Sequence, residues 1–158
     1  MIATPRFLLK PLTIVDVNDR YLSWLNLKTS AYIEYTCEGN PSIEELKNYV
    51  SERENRQDVL FLGIFTKEAQ HIGNIKYEPI DSKSKSAFMG ILIGDNDWRG
   101  KGVATEVIKA SGRYLAEQYL IETRKILDKN NIGEIKTVQI GGHAITAARL
   151  GVISDAKI

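Results

Sequence analysis

Cysteine and histidine are scarce in this sequence, whose 158 residues contain one cysteine and two histidines. The single cysteine, Cys37, excludes an internal disulfide and any metal site built from several cysteines. His71 and His143 lie far apart in the sequence, and no Cys, Asp or Glu accompanies them in a metal-ligand motif. We therefore predict no metal site. Such sparse use of cysteine suits a reducing compartment, so we expect a cytoplasmic protein.

An excess of one charge is also missing, and so are long apolar runs. The 21 basic and 20 acidic residues leave a formal net charge of +1, which argues against a nucleic-acid partner. No apolar run approaches the roughly 20 residues that cross a membrane, so no membrane partner is expected. The N-terminus is not predicted to be a signal peptide, because Arg6 follows only a few apolar residues.

The remaining composition is typical of a globular protein. Hydrophobic residues make up 43% of the sequence and charged residues 26%, which is enough apolar material for a buried core. The length fits one domain of ordinary size, and we predict a single domain over residues 1–158.

The first half of the chain shows one strand and two helix starts. Residues 6–12 are predicted to form a strand that Pro11 ends. Thr13, with Asp16 three residues later, is a plausible N-cap for a helix. Ser42 and Glu45 have the spacing of a capping box, which predicts a second helix directly after Ser42.

The second half changes from strand to helix signals and back. Apolar runs predict strands over 59–66, 71–80 and 87–94, the first two joined as a hairpin. Helical spacing then predicts a helix from Val103 to Tyr119 or Leu120. Further candidates are a short strand over 122–127 and a short helix over 130–140 stopped by the glycines at 141 and 142.

A glycine-rich turn, Arg99-Gly100-Lys101-Gly102, joins the strand over 87–94 to the helix from Val103. The first N–H groups of a helix lack internal partners and lie at the positive end of its dipole. Glycines let an anion approach these groups, so a phosphate is the natural occupant. Neither the Walker loop nor the dinucleotide fingerprint matches the glycine spacing. A turn that only caps the helix remains an alternative.

The same residues resemble the acetyl-CoA signature of the GNAT N-acetyltransferase superfamily, [Q/R]-x-x-G-x-[G/A]. Further segments agree with the family in the same order along the chain, and the resemblance covers roughly residues 5 to 136. Those segments are RFLLKPLTIVDVNDRYLSWLN, IGNIKYEPID, MGILIGDNDWRGKGVATEVIKA and LDKNNIGEIK. The sequence is most similar in style to the branch that acetylates protein N-termini and amino sugars.

The resemblance implies a fold and a way of binding acetyl-CoA. The fold would be α/β, in the α+β sense, with a mostly antiparallel mixed sheet flanked by helices and splayed between its fourth and fifth strands. The pantetheine arm of acetyl-CoA would pair with the fourth strand, and its pyrophosphate would lie on the turn. The residues implied in cofactor binding are Ile91, Leu92, Ile93, Arg99, Gly100, Lys101, Gly102, Val103, Ala104, Thr105 and Asn131.

The implied reaction is direct transfer of an acetyl group from the thioester to a primary amine. Glu78, at the end of the strand over 71–80, is the first candidate for the general base, and Glu34 is the second. A solvated surface carboxylate is the alternative for each of them. Two positions depart from the family pattern: Phe88 replaces a frequent glutamate, and Val138 stands where a tyrosine often acts as the acid.

The expected acceptor is a small-molecule amine, an amino sugar or a peptide N-terminus. An alternative function is an acyl-CoA-binding or regulatory module that has lost efficient turnover, which Val138 and the atypical residues 137–158 favour. A domain that binds the phosphates of another nucleotide is a third, weaker alternative. Incomplete final strands would expose a sheet edge, which would favour a homodimer.

Overall fold

A computed structural model of the chain describes residues 1–25, 41–81, 83, 86–119, 135–140 and 143–148. Helices cover both faces of one five-stranded sheet. The strands of this sheet are β1 (Ile2–Ala3), β2 (Phe7–Pro11), β3 (Leu60–Thr66), β4 (His71–Asp81) and β5 (Ser86–Ile93). The helices are α1 (Asp19–Leu25), α2 (Ile43–Ser51) and α3 (Val103–Tyr119), and a separate hairpin consists of β6 (Ile135–Ile140) and β7 (His143–Ala148).

The strands of the five-stranded sheet lie side by side in sequence order, and every neighbouring pair is antiparallel. The register between β4 and β5 shifts after Tyr77, so that Glu78 and Pro79 together lie opposite the single residue Phe88. Such an extra residue is a β-bulge, which bends the strand locally. The structure has a two-residue strand, β1, before the first strand predicted from the sequence. The strand predicted as the fourth is therefore β5.

Each face of the sheet carries its own apolar cluster. The larger cluster lies under α3, which buries Val103, Val107 and Leu115 against the strands. The second cluster lies on the opposite face, where Trp24 of α1 and Leu46 of α2 are buried. The predicted fold class, an α/β protein with a central antiparallel sheet flanked by helices, is therefore confirmed.

A pair of hydroxyl groups joins α3 to the sheet inside the larger cluster. The Tyr77 and Ser111 side-chain oxygens lie 3.0 Å apart. Ser111 also donates to the Val107 carbonyl at 2.7 Å, so the Tyr77 hydroxyl is the donor within the pair. Burial raises the pKa of Tyr77 to about 12, against a smaller opposing effect of the Ser111 hydrogen bond. The Tyr77 hydroxyl is therefore neutral at physiological pH.

Most of the predicted elements are confirmed. The four predicted strands correspond to β2, β3, β4 and β5, and α3 ends at Tyr119 as predicted. The capping box before α2 is also confirmed. Its two hydrogen bonds run from the Glu45 amide to the Ser42 hydroxyl at 3.2 Å and from the Ser42 amide to the Glu45 carboxylate at 2.6 Å.

The predicted helix after Thr13 is only partly correct. Thr13 and Asp16 do form a capping box, but it caps a single 3-10 turn, Ile14–Asp16. Val17 is extended, with φ −80° and ψ 117°, and this ends the turn. Asn18 then acts as a new cap, because its side chain accepts from the Tyr21 amide at 3.0 Å. The α-helix therefore begins at Asp19.

The predicted helix over 130–140 is wrong from Ile135 onward, where the chain forms β6 and pairs with β7. This segment is rich in β-branched residues, such as Thr137 and Val138, which favour strands. The start of that prediction, residues 130–134, lies outside the described residues. The short strand predicted over 122–127 lies outside them too, and so does the expected splay beside the fourth strand.

The β6–β7 hairpin lies next to β5 without pairing to it. Cα atoms of β7 approach those of β5 within 8 Å, but the hairpin forms a sheet of its own. The described five-stranded sheet therefore ends at β5. None of the described helices combines the length and the apolar character that crossing a membrane requires.

Candidate functional site

The segment between β5 and α3 begins with a capped 3-10 turn. The Asp95 carboxylate accepts from the Asp97 amide at 2.9 Å and begins a 3-10 turn, Asn96–Trp98. Trp98 is anchored by an edge-to-face contact with Phe7, with ring centroids 5.3 Å apart. The chain thus reaches Arg99 at a fixed place beside the sheet, and the glycine-rich turn starts there.

Both glycines of the turn have a left-handed backbone. Gly100 has φ +71° and Gly102 has φ +74°, a region that side chains with a Cβ rarely adopt. Among the described residues, a Cβ built on Gly100 meets nothing within 4 Å, and one on Gly102 meets only the Arg6 guanidinium at 3.8 Å. The backbone conformation, and not a lack of space, therefore requires glycine at these two positions.

The start of α3 leaves free amides in this turn. The Glu106 amide donates to the Gly102 carbonyl at 3.2 Å, which is the first bond of the helix. The amides of Val103, Ala104 and Thr105 therefore have no acceptor within the helix. They lie at the positive end of a helix of 17 residues. The turn has the properties of an anion site.

Three cations from the described part of the chain surround the turn. Arg99 donates from Nε to the Ile93 carbonyl at 2.9 Å, so its guanidinium is held against the end of β5. Lys101 is exposed, with its ammonium 5.7 Å from the centre of the Trp98 ring. The sequence did not reveal the third cation, Arg6, which donates from Nη1 to the Lys101 carbonyl at 2.9 Å. No local pattern could have shown it, because 95 positions separate the two residues.

The outer edge of β5 is not paired with any described strand. The Gly94 amide donates to Ile72 of β4 at 3.0 Å, so backbone groups at every second residue before it also point toward β4. Leu92 is one of those residues. Ile91 and Ile93 therefore present their N–H and C=O groups at the outer edge, where Arg99 already binds the Ile93 carbonyl.

Glu78 lies in a cluster of positive charges at the bulge of β4. Its carboxylate contacts Arg53 at 2.8 Å, Lys76 at 2.9 Å and Arg56 at 3.0 Å. Burial alone would raise the pKa of Glu78, but hydrogen bonds and charges from Lys76 and Arg53 outweigh it and lower the pKa. A carboxylate with a lowered pKa and three cationic partners is a weak base.

The other residues singled out from the sequence do not join Glu78 in one described site. Glu34, Cys37 and Asn131 lie outside the described residues. Phe88, opposite the bulge, is 63% exposed. Val138 lies on β6. No group of three His, Cys, Asp or Glu side chains within the described ranges is placed to hold a metal ion.

His71 belongs to the core and not to the turn. Its ring stacks on Phe65 with centroids 4.7 Å apart and meets the edge of Trp24 at 5.0 Å. Its Nε2 lies 2.8 Å from the Asn74 side-chain oxygen and 3.0 Å from the Gly73 carbonyl, so this nitrogen carries the proton and donates. Burial lowers the pKa of His71, although these hydrogen bonds oppose the effect.

Comparison with known protein families gives one clear match. The model of a family described as an acetyltransferase (GNAT) domain matches residues 6–140. None of the curated proteins matches the chain by sequence.

Solved structures resemble the chain over most of its length. A spermidine N-acetyltransferase from Vibrio cholerae, in complex with CoA and spermine, has a TM-score of 0.59 at 18% identity, over 90% of this chain and 92% of that chain. A ribosomal-protein alpha-N-acetyltransferase in complex with coenzyme A has a TM-score of 0.63 at 14% identity, over 92% of each chain. A microcin self-immunity acetyltransferase with acetyl-CoA and AMP has a TM-score of 0.59 at 14% identity, over 91% and 90%. At these identities the likeness is one of fold.

Proposed function

Because the chain belongs to the GNAT acetyltransferase family, we propose that it is an N-acetyltransferase that moves an acetyl group from acetyl-CoA to a primary amine. The observation that carries this proposal is the strand, turn and helix from β5 to α3. This segment combines amides without an acceptor inside the helix, two left-handed glycines and a strand edge that no described strand pairs with. We assign the whole chain, residues 1–158, to one such domain and place it in the cytoplasm.

The described residues fit the donor molecule at two places. The amides of Val103, Ala104 and Thr105, with Gly100, Gly102, Arg99 and Lys101, would hold the pyrophosphate, because helix N-termini and cations bind phosphate well. The outer edge of β5 at Ile91 would pair with the pantetheine arm, as extended ligands do at free strand edges. Leu92 and Ile93 follow that position along β5, and Asn131 is proposed as a further contact. Acetyl-CoA supplies the activated acetyl thioester.

The acceptor amine must lose its proton before it can attack. At pH 7 this costs about 4.6 kcal/mol for a lysine-like amine with a pKa near 10.4, but only about 1 kcal/mol for an α-amine near 7.8. Glu78 is tied to three cations and is a weak base. A weak base supports an acceptor of low pKa, so a peptide N-terminus or an amino sugar suits the site better than a polyamine.

Positioning would be the main catalytic contribution of this chain. A thiolate with a pKa near 8.5 leaves without a strong acid, so the absence of a tyrosine at Val138 does not prevent transfer. Holding the two reactants in line supplies a large part of the rate enhancement in such reactions. We therefore propose direct transfer, with Glu78 and Glu34 as the two carboxylates to test as bases.

Two measurements test the proposal in sequence. Thermal unfolding with acetyl-CoA, ATP or NAD should show stabilisation by acetyl-CoA alone, and equal stabilisation by all three would contradict the choice of donor. Thiol release from acetyl-CoA is then measured over a panel of α-amines, amino sugars and polyamines. Turnover with at least one amine supports an enzyme. Binding of acetyl-CoA without turnover of any amine would favour the regulatory module.

A further inference from the structure

Residues just before β2 are hydrogen-bonded to one carboxylate in the first turn of α3, that of Glu106. Glu106 accepts from the Thr4 hydroxyl at 2.6 Å, from the Arg6 amide at 2.9 Å and from the Arg6 Nε at 2.7 Å. Thr4 also binds its own segment, because its hydroxyl accepts from the Phe7 amide at 2.8 Å. The place and direction of the Arg6 guanidinium are therefore set by several bonds at once.

From this place Arg6 acts on the turn itself. Its Nη1 donates to the Lys101 carbonyl at 2.9 Å. The peptide between Lys101 and Gly102 is trans, since the described cis bond is elsewhere in the chain. In a trans peptide the C=O and the following N–H point in opposite directions. Holding the Lys101 carbonyl toward Arg6 therefore turns the Gly102 amide away from Arg6, to the open side of the turn.

Arg6 also removes a charge conflict. An ionised carboxylate within the first turn of α3 would repel a bound anion unless its charge were compensated. Burial would raise the pKa of Glu106, but the bonds from Thr4 and Arg6 lower it, so Glu106 is ionised at neutral pH. The Arg6 guanidinium, which is directly bonded to Glu106, supplies the compensating charge.

We propose that Arg6, held by Glu106 and Thr4, is a positioning residue that turns the Gly102 amide toward the pyrophosphate of the acetyl donor. This inference rests on the proposed function. It assigns a role in donor binding to a residue that precedes the glycine-rich turn by more than ninety positions. Loss of one hydrogen bond to a charged group corresponds to about a tenfold to a hundredfold loss of affinity.

The test compares Arg6→Met with Lys10→Met. The two residues are well matched, because both pair with a carboxylate and their side chains are 42% and 44% exposed. We measure the Kd for CoA by calorimetry, and kcat and KM for acetyl-CoA and for acetyl-pantetheine, which lacks the pyrophosphate. Arg6→Met should raise the Kd and the KM for the CoA compounds about tenfold to a hundredfold. Arg6→Met should leave turnover of acetyl-pantetheine unchanged. Lys10→Met should change neither the constants for the CoA compounds nor the turnover of acetyl-pantetheine.

Charge and positioning are separated by Arg6→Lys. A lysine ammonium keeps the charge but lacks the fork that reaches both Glu106 and the Lys101 carbonyl. This variant should therefore remain impaired, and full recovery of the affinity would overturn the positioning role. The amide resonance of Gly102 in a nitrogen-15 spectrum gives a second readout. It should shift on addition of CoA to the unmodified chain, and much less with either Arg6 variant.

The outcomes distinguish the inference from the proposed function. An unmodified chain that does not bind CoA contradicts the proposed function. An unmodified chain that binds CoA, with the same affinity as Arg6→Met, overturns only the inference. Equal losses with acetyl-CoA and acetyl-pantetheine also overturn it, because they would indicate a structural role. If Arg6→Met does not fold, Arg6→Gln takes its place, and its affinity for CoA should fall while use of acetyl-pantetheine is retained.

Discussion

The indole of Trp24 lies directly against the backbone of Gly94. A Cβ built on Gly94 would meet the Cδ2 atom of Trp24 at 1.9 Å, far inside the contact distance of two carbon atoms. Trp24 is buried on α1, and Gly94 follows the last residue of β5. The contact therefore fixes the point at which the chain leaves the sheet and enters the turn.

Gly94→Ala should destabilise the fold. The added methyl group must displace a ring that is already packed against His71, and overpacking of this kind costs about 1–3 kcal/mol. The free energy of unfolding in urea measures the effect. Gly90→Ala is the control, because a Cβ there meets no described atom within 4 Å. Equal stability of the two variants would contradict the close packing of Trp24.

Gly102→Ala should weaken binding of the acetyl donor more than it weakens the fold. An alanine in the left-handed region costs about 1–2 kcal/mol, and the turn can relieve this strain by rotating its amides away from the anion. Calorimetric titration with CoA, alongside urea unfolding, separates the two effects. An unchanged Kd would show that this amide does not contact the donor.

Glu78→Gln should cost stability and leave catalysis nearly intact. The substitution removes the charge that Arg53, Arg56 and Lys76 share, and lost hydrogen bonds to charged groups cost about 1–3 kcal/mol. Since the pKa of Glu78 is already lowered, we expect kcat to stay within about threefold. A loss of about a hundredfold or more, together with loss of the acidic limb of the pH–rate profile, would identify Glu78 as the base after all.

His71 should make stability depend on pH near neutrality. Burial lowers its pKa in the folded chain, so below about pH 6.5 the unfolded chain binds a proton that the folded chain resists. Its contribution to stability is thus full above about pH 6.5 and declines as the pH falls toward the lowered value. Urea unfolding from about pH 8 to about pH 5 should show this decline, and His71→Gln should reduce it. If the stability of both chains falls equally with pH, His71 does not cause the decline, because the His71→Gln variant differs only at this side chain.

Local signals predicted much of this fold. Three signals depend on residues a few positions apart, and each was confirmed: the Ser42–Glu45 capping box, the apolar runs of the strands and the apolar stripe of α3. The helix predicted after Thr13 was only partly correct because the segment contains two capping residues. Thr13 caps a 3-10 turn, and Asn18 caps the α-helix that follows it. The bond from Arg6 to Glu106 spans 100 positions, so only the folded chain could reveal it.

The hydrogen bond between the Tyr77 and Ser111 hydroxyls fixes where α3 lies along its own axis relative to the sheet. Moving the helix by one residue would shift it about 1.5 Å and rotate it by about 100°, which would carry Ser111 away from its buried partner. The first residue of α3 lies about 12 Å from Ser111 along the same rigid rod. The buried bond between Tyr77 and Ser111 therefore fixes the position of the glycine-rich turn, at which we propose that the pyrophosphate binds.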